Sequence, residues 1–135
     1  MEHRSAHILL ADDEAAIRFT MEILLRRHGY TVTTASNGTE ALALVEQQPF
    51  ELLLLDLKMP GLSGLEVARR ACELQPAVAI LILTGSSLIE AGPNEPDNDR
   101  FEHMLKTASP QDVLDRVAAL IASRANAPRG HTPGR

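Results

Sequence analysis

Acids, a hydroxyl and an ammonium stand at the ends of four apolar runs. His7-Ile8-Leu9-Leu10-Ala11 leads into Asp12-Asp13-Glu14, and Leu52-Leu53-Leu54-Leu55 leads into Asp56. Val78 to Leu83 leads into Thr84-Gly85, and Phe101 to Leu105 leads into Lys106. Asp56 alone is ambiguous. A carboxylate at the carboxyl end of a buried strand sits where open α/β sheets bind ligands, but Asp also ends strands because it suits turns. The other polar residues decide. If the four runs are parallel strands, Asp12, Asp13, Asp56, Thr84 and Lys106 converge on one edge of the sheet. Three carboxylates in one cleft raise one another's pKa values. A divalent cation relieves that repulsion, and oxygen ligands with room for water suit Mg²⁺. A hydroxyl and an ammonium opposite the acids suit phosphoryl oxygens. The set amounts to a carboxylate nucleophile, a metal site and two phosphoryl-stabilising side chains, which is equipment for forming an aspartyl phosphate.

The elements that must position these residues alternate along the chain. Four consecutive leucines ahead of Met59-Pro60-Gly61 predict a strand buried on both faces. Ile17, Met21, Leu24, Leu25 and His28 recur at helical spacing, and Gly29 stops that helix. Tyr30 to Ala35 reads as a second strand. Asn37-Gly38 makes a turn, and Glu40 to Gln48 form a second helix that Pro49 ends. Gly61 to Gly64 is a loop, and Leu65 to Leu74 a third helix closed by Pro76. Ser109-Pro110-Gln111-Asp112 opens a last helix, whose apolar face is Val113, Val117, Leu120 and Ile121. Such alternation predicts a parallel sheet with helices on both faces and right-handed crossovers.

Two segments break the pattern. Residues 85–100 carry Gly92, Pro93, Pro96 and four acids, and support at most a turn or two of helix around Ser87 to Ala91. Ser123 to Arg135 has two prolines, two glycines and three arginines without apolar periodicity. It reads as a disordered tail or linker after a domain of residues 1–122.

A chain of 135 residues fits one domain that buries about two-thirds of its unfolded surface. Aromatics are confined to Phe19, Tyr30, Phe50 and Phe101, so the core is aliphatic. A net charge of −5 without a basic block argues against nucleic-acid binding. The single cysteine, Cys72, cannot form an internal disulfide and fits a reducing cytoplasm; it reads as an ordinary helix residue. Met1 to Ser5 lack the apolar core of a signal peptide, and no apolar run approaches the ~20 residues of a membrane span.

Taken in order and at their spacing, these motifs resemble the bacterial response-regulator receiver domain. The resemblance covers residues 7 to 122. It rests on Asp12-Asp13-Glu14, on Leu55-Asp56-Leu57-Lys58-Met59-Pro60-Gly61-Leu62-Ser63-Gly64, on Thr84-Gly85 and on Lys106. It implies a flavodoxin-like, doubly wound (βα)5 sheet of strand order 2-1-3-4-5, here with the fourth helix short or missing. It implies that Asp56 is the phosphoacceptor. Asp13 and Asp56 would hold Mg²⁺ together with the backbone carbonyl of Lys58, with Asp12 acting largely through water. Lys106 would pair with the phosphoryl oxygens, and Thr84 would hydrogen-bond them as its loop moves inward. Gly85 would leave access to the phosphoryl group. Lys58 stands where the family influences phosphoryl loss, though its residue type also reads as a solvated lysine.

Three departures from the family qualify this. Thr107 follows Lys106 where the family has a proline in a cis bond; a cis bond before a non-proline costs roughly 3 kcal/mol, so either the bond is trans or strain is kept. His103 occupies the switch position usually held by Tyr or Phe. It could act as a pH-sensitive switch, or be a neutral, partly buried histidine. The degraded fourth helix removes part of the usual output face. In helix one, Ile17 packs near the site, while Phe19 and Ile23 lie four apart on another stripe. If exposed, they form a patch where the family docks kinases; otherwise Phe19 folds back on its own helix or the tail.

The implied partners are a sensor histidine kinase or a histidine phosphotransfer protein and an output protein, with the chain a monomer or weak homodimer. It would catalyse its own phosphorylation and dephosphorylation without being an enzyme that turns over a separate substrate. A metal-dependent phosphatase would want an acid two past the nucleophile, where Lys58 stands. A phosphorylation-independent binding module keeps the fold without the switch; His103, Thr107 and the broken helix favour it, and the intact five-residue set opposes it.

Overall fold

The four leucines before Asp56 form a strand in which every residue is buried, because a central parallel strand has helices against both faces. The computed structural model describes residues 5–85 and 101–125. In chain order these form β1 (His7–Ala11), α1 (Ala15–Arg27), β2 (Thr31–Ala35), α2 (Gly38–Gln47) and β3 (Leu52–Asp56). There follow α3 (Gly64–Leu74), β4 (Ala79–Thr84), β5 (Glu102–Leu105) and α4 (Pro110–Ala125). The five strands are all parallel, in the order β2-β1-β3-β4-β5. This is the expected flavodoxin-like sheet.

Strand alternation divides the core in two. Leu9, Leu53, Leu55, Ile80 and Ile82 face the α2 and α3 side, where Ala41, Val45, Ala68 and Ala71 pack. Ile8, Leu10, Leu52, Leu54 and Leu81 face the α1 and α4 side, with Met21, Leu25, Val113 and Val117. Small residues on α2 and α3 let those helices lie close to the sheet.

Local chemistry explains most helix ends. Asn37 accepts a hydrogen bond from the Glu40 amide at 2.7 Å, so Asn37-Gly38 is a helix start and not a separate turn. Ser63 and Glu66 form a reciprocal capping box, which begins α3 at Gly64. The Asp112 amide donates to Ser109 Oγ at 3.1 Å, as the Ser-Pro-Gln-Asp run predicts. Gly29, at φ 93°, follows α1 in the left-handed region that favours glycine.

Beyond shifts of a residue or two at element ends, the last helix and the first turn of α1 differ from expectation. The last helix runs to Ala125, three residues past the domain end drawn at 122, and Arg124 fastens it by donating to the Ala77 carbonyl at 2.7 Å. Ile17 does not join the buried stripe of α1: Ala15, Ala16 and Ile17 are all exposed, so the first turn stands clear of the core. Residues 86–100 and 126–135, on which the readings of a degraded fourth helix and a disordered tail fall, lie outside the described residues.

Candidate functional site

The carboxyl ends of β1, β3 and β4 and the residue after β5 bring Asp12, Asp56, Thr84 and Lys106 to one edge of the sheet. Three of these, Asp12, Asp56 and Thr84, are buried polar residues in an otherwise aliphatic core.

Three polar atoms of Asp12 are held by hydrogen bonds. Its amide donates to the Ala35 carbonyl at 3.2 Å, and its own carbonyl accepts from Arg18 Nη1 at 2.7 Å. Its Oδ1 accepts from the Glu14 amide at 2.9 Å. Asp13, next in the chain, is exposed. Oxygens of Asp12, Asp13 and Asp56 lie within 4.8 Å of one another, close enough to share a single cation.

Asp56 is 4% exposed. The backbone just after it is fixed by Leu57 N–H donating to the Leu83 carbonyl and Gly64 N–H donating to the Leu57 carbonyl, both at 2.8 Å. The approach at Gly64 is so close that a Cβ there would lie 2.4 Å from the Asp56 carbonyl oxygen. Lys58 is exposed in the loop that follows β3. That loop is pinned to the start of α2: Gly38 N–H donates to the Pro60 carbonyl at 3.2 Å, and a Cβ on Gly38 would sit 1.8 Å from the Leu62 carbonyl oxygen.

Lys106 reaches back across the edge. Its amide donates to the Thr84 carbonyl at 2.7 Å. Its Nζ donates to Asp56 Oδ2 at 3.0 Å and to Glu14 Oε1 at 3.1 Å, and lies 3.6 Å from Asp12 Oδ2. Burial pushes the Asp56 carboxyl up to about 6, with the Asp12 and Asp13 charges adding to it and the Lys106 hydrogen bond working against it. Mutual repulsion of the acids, expected from sequence, is therefore secondary to desolvation. For Lys106, burial favours the neutral amine, but hydrogen bonds to Asp56 and Glu14 outweigh it and hold the ammonium above its ordinary range.

The remaining candidates divide. His103 is half-buried on β5, with Nδ1 2.8 Å from the Phe101 carbonyl; a carbonyl only accepts, so Nδ1 carries the hydrogen. Its Nε2 is buried without a hydrogen-bond partner among the described residues. The Lys106–Thr107 peptide is trans, since no cis bond occurs among the described residues. Phe19 is 63% exposed, and Ile17 and Ile23 are exposed beside it on α1. Glu14 was not singled out by sequence. Its place in the Asp12-Asp13-Glu14 run was visible, but which acid would turn toward Lys106 depends on the entry angle of α1.

Comparison with known proteins bears on this edge. The family model described as the response regulator receiver domain matches residues 8–118. The response regulator receiver protein CpdR of Brucella abortus is 39% identical over 114 residues, covering 84% of this chain and 95% of CpdR. The chain spans about half or less of several other curated relatives. A CheY-like response regulator receiver domain protein of Methanospirillum hungatei superposes with a TM-score of 0.82 at 27% identity, covering 90% of this chain and 98% of that one. The response regulator TrrA of Thermotoga maritima, solved in complex with Mg²⁺–BeF, superposes with a TM-score of 0.74 at 33% identity, covering 85% and 98%.

Proposed function

The chain belongs to the response regulator receiver domain family, and from that premise we propose that it takes a phosphoryl group from a phosphohistidine onto Asp56 and changes conformation to control a partner. The observation that carries this reading is the single ammonium of Lys106 set 3.0 Å from a buried Asp56 carboxylate, at the edge where Asp12 and Asp13 also gather.

Asp56 acts as nucleophile in its ionised form. An Asp56 oxygen bonds to phosphorus while the phosphorus–nitrogen bond of the donor breaks, and the electron pair leaves with the imidazole. The carboxylate has no proton to lose, so no base is needed on the acceptor side. Lys106 neutralises charge on the phosphoryl oxygens, and the buried Thr84 hydroxyl is in reach of the same edge. All-oxygen donors from Asp12, Asp13 and Asp56 suit Mg²⁺, and the carbonyl of Lys58 would complete the set. When bound, the cation would offset the charge that gathers as phosphate approaches carboxylate. The Mg²⁺–BeF complex of TrrA supports that choice of metal.

Thr84 and His103 are the switch residues of this reading. The exposed Ile17, Phe19 and Ile23, beside the acids in sequence, are the docking surface for a histidine kinase or histidine phosphotransfer protein. The reading is of a signalling module in the cytoplasm, monomeric or weakly dimeric, with no separate substrate to turn over. Residues 1–122, extended to Ala125 by the last helix, are its receiver unit. A phosphorylation-independent module is the second reading, favoured by His103, where the family usually carries Tyr or Phe, and by Thr107.

Intact mass after incubation with acetyl phosphate and Mg²⁺ tests the first reading. Wild type should gain one phosphoryl group; Asp56→Asn, or wild type without Mg²⁺, should gain none. No gain in folded wild type, from acetyl phosphate or from a phosphohistidine donor, would favour the second.

A further inference from the structure

Glu14 belongs to the Asp12-Asp13-Glu14 run, but the resemblance gives its side chain no role. As the residue before α1 it is the helix N-cap, yet its side chain caps no amide of that helix. It reaches instead to Lys106, 92 residues further along the chain. Lys106 thus divides its ammonium between Glu14 Oε1 at 3.1 Å and Asp56 Oδ2 at 3.0 Å, with Asp12 Oδ2 at 3.6 Å. The two close partners differ in surroundings. The Asp56 side chain is 5% exposed and that of Glu14 59% exposed.

Taking Asp56 as the acceptor, we propose that Glu14 is a positioning residue that restrains phosphorylation by competing with the phosphoryl oxygens for the Lys106 ammonium. When phosphorus bonds to Asp56, the single carboxylate charge gives way to phosphoryl oxygens that carry nearly two charges. Lys106 must turn to them. Glu14 draws the same ammonium toward itself and repels the newcomers. It also helps tether Lys106 at the site, which would favour the reaction. That second effect is the weaker one, because Asp56 and Asp12 hold the ammonium from the buried side, where water does not screen the contact. Removing Glu14 leaves Lys106 in place and frees it to follow the phosphoryl group.

The substitution Glu14→Gln keeps the length and polarity of the side chain and removes its charge. Because no α1 amide depends on that side chain, the fold is not at stake. Loading of Asp56 from acetyl phosphate at low salt should be about two- to five-fold faster than in wild type, the range for a largely exposed ion pair. The advantage should shrink above about 0.5 M salt, where screening acts over a few ångströms. Urea midpoints of wild type, Glu14→Gln, Lys106→Met and the double variant should be non-additive, as contact between the two residues requires.

Equal or slower loading by Glu14→Gln, in a wild type that does load, overturns the restraint alone. Faster loading with additive midpoints also overturns it, because Glu14 would then act on the incoming donor and not through Lys106. A wild type that gains no phosphoryl group brings down the acceptor reading first, and the restraint with it.

Discussion

At the amino edge of the sheet Gln75 donates to the carbonyls of Val45 and Gln48 and accepts from the Phe50 amide, all at 2.9 Å. At the carboxyl edge Asp56, Asp12 and Glu14 gather around the one ammonium of Lys106. The amino edge pairs a neutral amide with backbone groups and closes the ends of α2 and α3 onto the start of β3. The carboxyl edge buries two carboxylates and keeps one of them well above its ordinary pKa. The same sheet therefore carries a structural end, where polar groups are matched, and a reactive end, where charge is left out of balance and a cation or phosphoryl group has something to complete.

The contrast is broken most severely at Gln75. Gln75→Ala strands the Phe50 amide and removes a donor from two carbonyls in a partly buried place, and should lower stability by about 2–3 kcal/mol. The urea midpoint should fall at unchanged slope. Loading of Asp56 per folded molecule should not change. A loading defect that persists in the folded fraction would mean the two edges are coupled through α3 and are not separate.

At the other edge the sign reverses. A carboxyl whose folded pKa is raised from 3.8 to about 6 binds its proton more tightly in the folded state. It therefore weakens the fold as pH rises through that window, and the loss is complete above about 6. Asp56→Asn removes the charge. The raised pKa, in which the Lys106 pair already counts against the shift, sets a ceiling of about 3 kcal/mol on the gain, and relaxation around the charged carboxylate keeps the gain below it. Asp56→Asn should stabilise the protein by about 1–2 kcal/mol at pH 7 and by nothing below pH 4. Thermal unfolding between pH 3.5 and 7.5 reads both. A variant less stable than wild type at pH 7 would show that the Lys106 pair outweighs the desolvation of Asp56.

The two edges were not equally legible. Runs such as Leu52 to Leu55 and Val78 to Leu83 announce buried strands by composition alone. Parallel strands then force Asp12, Asp56, Thr84 and Lys106 to one edge without any further information. What stayed hidden depends on direction and close approach. Ser63 and Glu66 carry the spacing of a capping box, a local signal available in the sequence, and Asn37 with Glu40 is another. Gly38 gives no such signal, because the Leu62 carbonyl it must clear is 24 residues away. Gln75 resembles any polar residue at a helix end, since its three partners come from α2 and the segment before β3. Ile17 fits the helical period of Met21 and Leu25, yet periodicity cannot say that the first turn of α1 stands clear of the core.

The smallest effect belongs to a polar contact near the amino edge. His7 Nε2 and Thr33 Oγ1 are 2.7 Å apart, joining β1 to β2, with both residues half-buried. Thr33→Val removes the hydroxyl and keeps the branched shape. The lost bond is worth about 1 kcal/mol at most where water can replace it. Valine recovers part of that through its better fit to a pleated, half-buried strand. The change in stability should stay within about 0.5 kcal/mol by urea unfolding, with loading of Asp56 unaltered. A loss of about 2 kcal/mol or more would place His7 in a buried polar network of the same kind as the acids. The separation of an edge that only holds the fold from one that is poised to react would then fail at its weakest point.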